Sequence, residues 1–440
     1  MPLSLAPYEK RIADAYPVEA YGKVRDVVGL TIEATGPAMR IGDLCYVRPH
    51  ESRNLTPVEV VGFRGGRLLL MPLGDMHGVG AHSVLIPTHK PRMVHVGPEL
   101  LGRVLDSMGN PLDGMDPPAA ATETPLTADA LRPFERERIV EPLATGIRSI
   151  DACMTCGKGQ RVAIMSGSGV GKSKVIGMVA RNTNADVNVI ALIGERGREV
   201  RDFVELDLGP EGLKRSVVIA ATSDEPALLR IKGAFMATAI AEWFREQGAN
   251  VMLMMDSLTR FAMAQREVGL SVGEPPTSKG YPPSVYSLLP QLLERAGMSR
   301  NGSITGLYTV LVEADDLNDP IGDAVRSIVD GHIALSRDLA SRGHFPAVDV
   351  LESVSRVMID VTPKEHQQLA MKLRHILAVY RDAEDLVNIG AYVAGSNPEI
   401  DTALKLMPGI RAFLRQGLEE PSRFDTLVGA MRQVVKGKQV

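Results

Sequence analysis

The residues with the clearest chemistry lie in Ser166-Gly-Ser-Gly-Val-Gly-Lys-Ser173, where an apolar run, Val162–Met165, meets a glycine-rich turn and then a helix start. Glycines at 167, 169 and 171 allow positive φ, so that successive backbone N–H groups can turn inward around a phosphate. The helix N-terminus behind them adds unpaired donors and a partial positive charge. Lys172 can reach the β- and γ-phosphates of a nucleotide and the Ser173 hydroxyl can hold Mg²⁺. This is the P-loop arrangement with Ser166 in place of its first glycine. The predicted nucleotide contacts are Ser168, Gly169, Val170, Gly171, Lys172, Ser173 and Lys174. Asp256 closes a later apolar run, Val251–Met255, and suits a carboxylate that supports the metal held by Ser173. Glu195, in Gly194-Glu-Arg-Gly-Arg-Glu-Val200, closes another. Hydrolysis of a nucleoside triphosphate needs a group that aims and polarises water at the γ-phosphate, and a carboxylate there can do so.

These side chains need a rigid frame. Apolar runs recur at 162–165, 189–193, 217–221, 251–255 and 307–312, each ending in a polar residue, with helical patterns such as Ala227 to Glu246 between them. Runs without alternation fit strands buried on both faces of a mostly parallel sheet, and ligands bind beyond the carboxyl ends of such strands. The predicted fold class is therefore α/β, with a P-loop NTPase core. Before it, residues 21–92 alternate with period two (24–32, 44–47, 58–63 and 67–71) between Gly-rich corners, which predicts a small β-barrel. Pro117 to Arg138 reads as a connecting segment. The core is assigned to 93–362 and a charged helical domain to 363–440, with helices over 364–380, 383–392 and 399–416. Tyr8, Ile12 and Tyr16 place a short amphipathic helix in residues 1–20, either a docking peptide or an N-terminal cap.

Composition narrows the classes. A chain of 440 residues suggests roughly three domains. A hydrophobic content of 45% and a charged content of 23% describe a globular protein. The formal net charge of −4 and a pI of about 6.2 give no bulk attraction for nucleic acid. The barrel also lacks aromatics interleaved with Lys and Arg. No apolar run is long enough to span a bilayer and the first residues lack the pattern of a secretory signal, so a cytoplasmic location is expected. Cys45, Cys153 and Cys156 are too few for a disulfide framework, and Cys153-Met-Thr-Cys156 has no second half for a zinc site.

The P-loop, Gly194-Glu-Arg-Gly-Arg-Glu-Val and Asp256-Ser-Leu-Thr-Arg-Phe-Ala together resemble the rotary-type ATPases. Further segments narrow the likeness. They are Thr155-Cys-Gly-Lys-Gly-Gln-Arg161, Gly280-Tyr-Pro-Pro-Ser-Val-Tyr286, Pro290-Gln-Leu-Leu-Glu-Arg295, Asp315-Asp-Leu-Asn-Asp-Pro320, Gly343-His-Phe-Pro-Ala-Val-Asp-Val-Leu-Glu-Ser-Val-Ser-Arg356 and Gly395-Ser-Asn-Pro-Glu-Ile-Asp401. Over roughly residues 20–420 the chain resembles the type III secretion export ATPases, most closely the flagellar form. The resemblance implies Mg²⁺-dependent hydrolysis of ATP coupled to protein export. It implies that Glu195 is the catalytic carboxylate, that Arg196 and Arg260 lie near the γ-phosphate, and that Arg356 is a finger reaching into a neighbouring subunit's site. Phe345 would lie against adenine, with Phe413 as a second wall.

The same resemblance implies a homohexamer at the inner face of the cytoplasmic membrane. Its partners would be a stator-like regulator docked on the N-terminal helix, a central stalk protein, the export gate, and export substrates with their chaperones. Rival readings are a virulence secretion ATPase, a rotary ATP synthase catalytic subunit and a hexameric RNA translocase. The C-terminal part lacks the acidic run of the synthase catalytic subunit, a non-catalytic subunit would carry Gln at 195, and the acidic pI disfavours the RNA motor.

Overall fold

The computed structural model describes residues 20–49, 54–120, 122–312 and 319–437. The helix expected in 1–20 and the 315–318 part of the Asp315–Pro320 motif lie outside them. The described chain forms two compact units: one up to Arg92 with Ser271–Gly273, and one from Met93 onward.

In the first unit, strands β1 (Gly22–Val28), β2 (Thr31–Thr35), β3 (Asp43–Arg48), β4 (Thr56–Arg64), β5 (Arg67–Pro72) and β6 (Val84–Pro91) close in the order β1-β2-β5-β4-β3-β6. Alternation explains the barrel: Val24, Ile32, Cys45, Val47, Val58, Val60, Leu70 and Leu85 face inward and are fully buried. The single strand expected over 24–32 is a hairpin. Val28 pairs with Thr31, and Gly29 between them takes φ 57°, which breaks the run.

The second unit opens with β7 (Met93–Val96), β8 (Val104–Asp106) and β9 (Thr122–Pro125), then the short strands β10 (Pro142–Leu143) and β11 (Cys156–Gly157). The P-loop strand β12 (Arg161–Ser166) follows, then β13 (Val187–Glu195), β14 (Ser216–Thr222), β15 (Asn250–Asp256), β16 (Gly297–Met298), β17 (Ser303–Leu311), β18 (Gly331–Leu335) and β19 (Val348–Ser355). The main sheet runs β19-β18-β12-β17-β15-β13-β14-β8. Its pairings are parallel from β18 to β8, whereas β19 runs antiparallel to β18. The buried runs of β12, β13 and β15 are the ones expected. The segment expected to be a plain connector contains β9, which pairs antiparallel with β7.

The C-terminal helices are Lys364–Asn388, Pro398–Leu414 and Phe424–Val435. The first is continuous through the break expected near 381, because it contains neither Gly nor Pro to end it. Its Leu373 and Ile376 pack into the same core as Val175 and Ile176 of the helix behind the P-loop. Cys153 and Cys156 are free, buried thiols in that core, pushed up to about 12 by burial.

Candidate nucleotide site

Gly169 and Gly171 take the expected positive φ, 80° and 98°, and Gly171 caps the helix Lys172–Asn182. Gly167 does not take positive φ, which corrects the expectation of three such glycines. Ser166 replaces the first glycine without backbone strain because it is the last residue of β12, in extended backbone that any side chain can adopt. Ser168, Gly169 and Ser173 are exposed, Gly171 and Lys172 are half-buried, and Val170 is buried beneath them. The Lys174 side chain does not join the loop, since its ammonium pairs with Asp207 Oδ1 at 2.6 Å.

Sheet order brings the carboxylates to this loop. Leu192 of β13 is in register with Asp256 at the end of β15, so Glu195 projects from the neighbouring strand end. Lys172 Nζ is hydrogen-bonded to Asp256 Oδ1 and lies 3.7 Å from Glu195 Oε1. Thr309, on β17 between β12 and β15, donates to Asp256 Oδ1 at 2.8 Å. Asp256 is 3% exposed, and a carboxylate that deep requires such partners. Burial and then the Asp256 charge push the Glu195 carboxyl up to about 7, against the opposing pull of Lys172. The Glu199 carboxyl adds to the upward push. Thr309 and Glu199 escaped the sequence reading. Glu199 stood four residues after Glu195 in a motif already singled out, whereas Thr309 is visible only through strand order.

Arg260 packs against this corner. A Cβ on Gly194 would sit 2.8 Å from Arg260 Cβ, so the residue before Glu195 must be glycine, and it also takes φ 72°. The Arg260 Nε is buried with no hydrogen-bond partner. Arg196 is not brought in: its side chain is 80% exposed and pairs with Glu199 at 3.3 Å.

Phe345 lies at the loop, its Cε1 4.0 Å from the place a Cβ would take on Gly171, and its ring is half exposed. The second wall expected at Phe413 is closed off. That ring is 2% exposed within the core, with the Arg148 guanidinium 5.8 Å from its centroid. Arg356 stands elsewhere. It follows β19, whose antiparallel course carries it to the start of β12, where its N–H donates to Asp330 O at 2.9 Å. The length of β12 puts it about 20 Å from its own P-loop.

A glycine-rich loop at the carboxyl end of a parallel sheet, with a lysine between two strand-end carboxylates, is the site of a P-loop nucleoside triphosphatase. Residues 146–355 match the ATP synthase alpha/beta family, nucleotide-binding domain, and residues 362–433 match the T3SS EscN ATPase C-terminal domain. The chain is 51% identical to a flagellum-specific ATP synthase of Bacillus subtilis, over 97% of this chain and 98% of the relative. It is 48% identical to a type 3 secretion system ATPase of Xanthomonas euvesicatoria, over 98% of each. Among solved structures, the assembled ATPase EscN of the enteropathogenic E. coli type III secretion system superposes with a TM-score of 0.89. Identity there is 44%, and 94% of this chain and 100% of that one are covered. EscN in complex with its central stalk EscO gives 0.87 at 43% identity, with the same coverage. The chain belongs to the family of flagellum-specific ATP synthases and type 3 secretion system ATPases.

Proposed function

We propose that this chain is a Mg²⁺-dependent ATPase that works as a homohexameric ring and energises flagellar protein export. The observation that carries the reading is Glu195, raised toward neutrality, 3.7 Å from a P-loop lysine already held by Asp256. The loop amides around Gly169 to Ser173 hold the phosphates, and Phe345 supplies the half-exposed face for the base. Glu195, once ionised, aims water at the terminal phosphorus. Lys172 moves from the carboxylates to the phosphates as nucleotide enters. Arg260, with a buried donor lacking a protein acceptor, turns that donor to the γ-phosphate.

The residues present suit magnesium. Among the described residues no group of three or more His, Cys, Asp or Glu is arranged to hold a metal ion by itself, and the donors near the loop are oxygens, the Ser173 hydroxyl and the Asp256 carboxylate. A metal held by few protein oxygens together with substrate phosphates is the usual Mg²⁺ arrangement. When bound, the ion neutralises charge on the β- and γ-phosphates.

The ring follows from Arg356. Its place at the opposite end of β12 denies it to its own site and offers it to a neighbour's, where a planar, permanently charged guanidinium stabilises the transferring phosphoryl group. A central stalk protein, a stator-like regulator on residues 1–20, an export gate, and substrates with chaperones are the proposed partners, with the ring at the inner face of the cytoplasmic membrane. Specific ATPase activity should rise super-linearly with protein concentration, and Arg356→Ala chains mixed with Glu195→Gln chains should regain activity that neither has alone. Linear activity and no recovery would remove the shared-site reading. The flagellar role is preferred because the Bacillus relative is the nearer of the two compared. Loss of motility on deletion of the gene, restored by the intact chain, tests it.

A further inference from the structure

Thr155-Cys-Gly-Lys-Gly-Gln-Arg161 marks the family, yet none of its residues reaches the P-loop: it precedes β12 at the far end from the nucleotide. That end is where Arg356 leaves the sheet. Gln160 is fully buried, and each hydrogen bond of its amide runs to the root of that arginine or to its own turn. Its Oε1 accepts from Gly157 N at 2.9 Å, which fixes the orientation of the amide. Its Nε2 donates to Asp330 O at 3.2 Å and to Ser355 Oγ at 3.1 Å. Asp330 O is the acceptor of the Arg356 N–H, and Ser355 is the residue before Arg356. Ser355 Oγ in turn donates to Thr155 O at 2.9 Å. The Asp330 carboxylate accepts from Arg161 N and Nε, both at 3.1 Å, and from Arg161 NH2 at 3.2 Å. A Cβ on Gly331 would come within 2.4 Å of Val354 O and 3.2 Å of Gln160 Nε2, so the packing leaves no slack.

We infer that Gln160 is a positioning residue for Arg356, fixing the backbone from which the guanidinium reaches into the neighbouring copy's site. The inference rests on the reading of Arg356 as an arginine supplied in trans. A buried amide with two donors and one acceptor in use holds its partners in one arrangement, because losing either donor strips the Asp330 carbonyl or the Ser355 hydroxyl of one of its two hydrogen bonds. Arg356 itself is exposed and has no comparable hold on its side chain, so its aim is set by the backbone behind it. Gln160 stands at the end of β12 opposite the P-loop and acts only through Arg356.

The test uses full-length Gln160→Glu, which keeps the acceptor for Gly157 N and removes both donors. A displacement on the order of 1 Å costs up to about a hundred-fold in rate, so kcat should fall roughly ten- to a hundred-fold with KM for ATP unchanged. The double variant Gln160→Glu/Arg356→Ala should be no slower than Arg356→Ala alone. Gln160→Glu chains mixed with Glu195→Gln chains should recover activity, because an intact Glu195 meets a well-placed arginine wherever the neighbour is a Glu195→Gln chain. A raised KM with unchanged kcat, or an additive double variant, would overturn the assignment. So would failure of this mixture where an Arg356→Ala mixture recovers, whereas failure of both mixtures removes the trans reading and the positioning role with it. If Gln160→Glu chains do not fold, Ser355→Ala, which removes one acceptor, should lower kcat in the same way by a smaller factor. An unchanged kcat there counts against the proposal.

Discussion

At one end of β12 a single ammonium serves two carboxylates, a glycine-rich turn faces solvent, and the Arg260 Nε and Ser166 Oγ are buried without partners. At the other end the Gln160 amide donates to Asp330 O and Ser355 Oγ, and Arg161 donates to the Asp330 carboxylate. The contrast separates two ways of preparing a site. Groups that a ligand must complete are left partly unsatisfied, at a cost that binding can offset. A group that must act on something outside its own subunit is held by a saturated frame instead.

The largest effect expected from breaking this contrast is at Lys172. Lys172→Ala removes the phosphate contact and leaves Asp256 and Glu195 facing each other, so both nucleotide binding and hydrolysis should be lost, as read by fluorescent-nucleotide titration and phosphate release. At the opposite end, Arg356→Ala should retain nucleotide binding and lower kcat by about 10³, the lower bound for a finger in trans.

Glu195 gives the next effect, and it appears as a pH profile. The ionised form is the active one, so kcat/KM should rise with pH through about 7 rather than near the ordinary glutamate value of 4.5. The same raised carboxyl makes the folded, nucleotide-free protein hold a proton that the unfolded chain releases. Its contribution to stability is therefore present below about 4.5 and is lost as pH rises through about 7. Glu195→Gln should abolish turnover, retain ATP binding and flatten that part of the stability profile in thermal melts.

The smallest catalytic effect is at the two phenylalanines, whose settings differ. Phe345→Ala should raise KM by up to about ten-fold with little change in melting temperature. Phe413→Ala should instead destabilise the fold by about 3–5 kcal/mol, measured by denaturant unfolding, since its ring fills the core.

These two residues also show what could be read from the chain. The family resemblance assigns both to the base, and only burial tells a platform from a core side chain. The strands that carry the P-loop, Glu195 and Asp256 were legible because each is an uninterrupted apolar run closed by a polar residue. β8 is only three residues long, and β18 contains His332. β19 alternates exposed and buried positions at the sheet edge, so none of the three showed that pattern. Lys174 was misread because its partner, Asp207, lies beyond the next strand. The two bonds donated by Gln160 Nε2 join residues distant in sequence, and no local pattern records them.

Strand order also bears on how the protein is made. β12 pairs with β17 and β18, both laid down far later, while its nearest predecessors in the chain pair elsewhere. During synthesis the phosphate loop therefore emerges before either strand that flanks β12, gaining its first neighbour with Leu311 and its second with Leu335. Fragments that stop before Ser303 would carry the P-loop, Glu195 and Asp256 and still lack both strands that flank the loop's own.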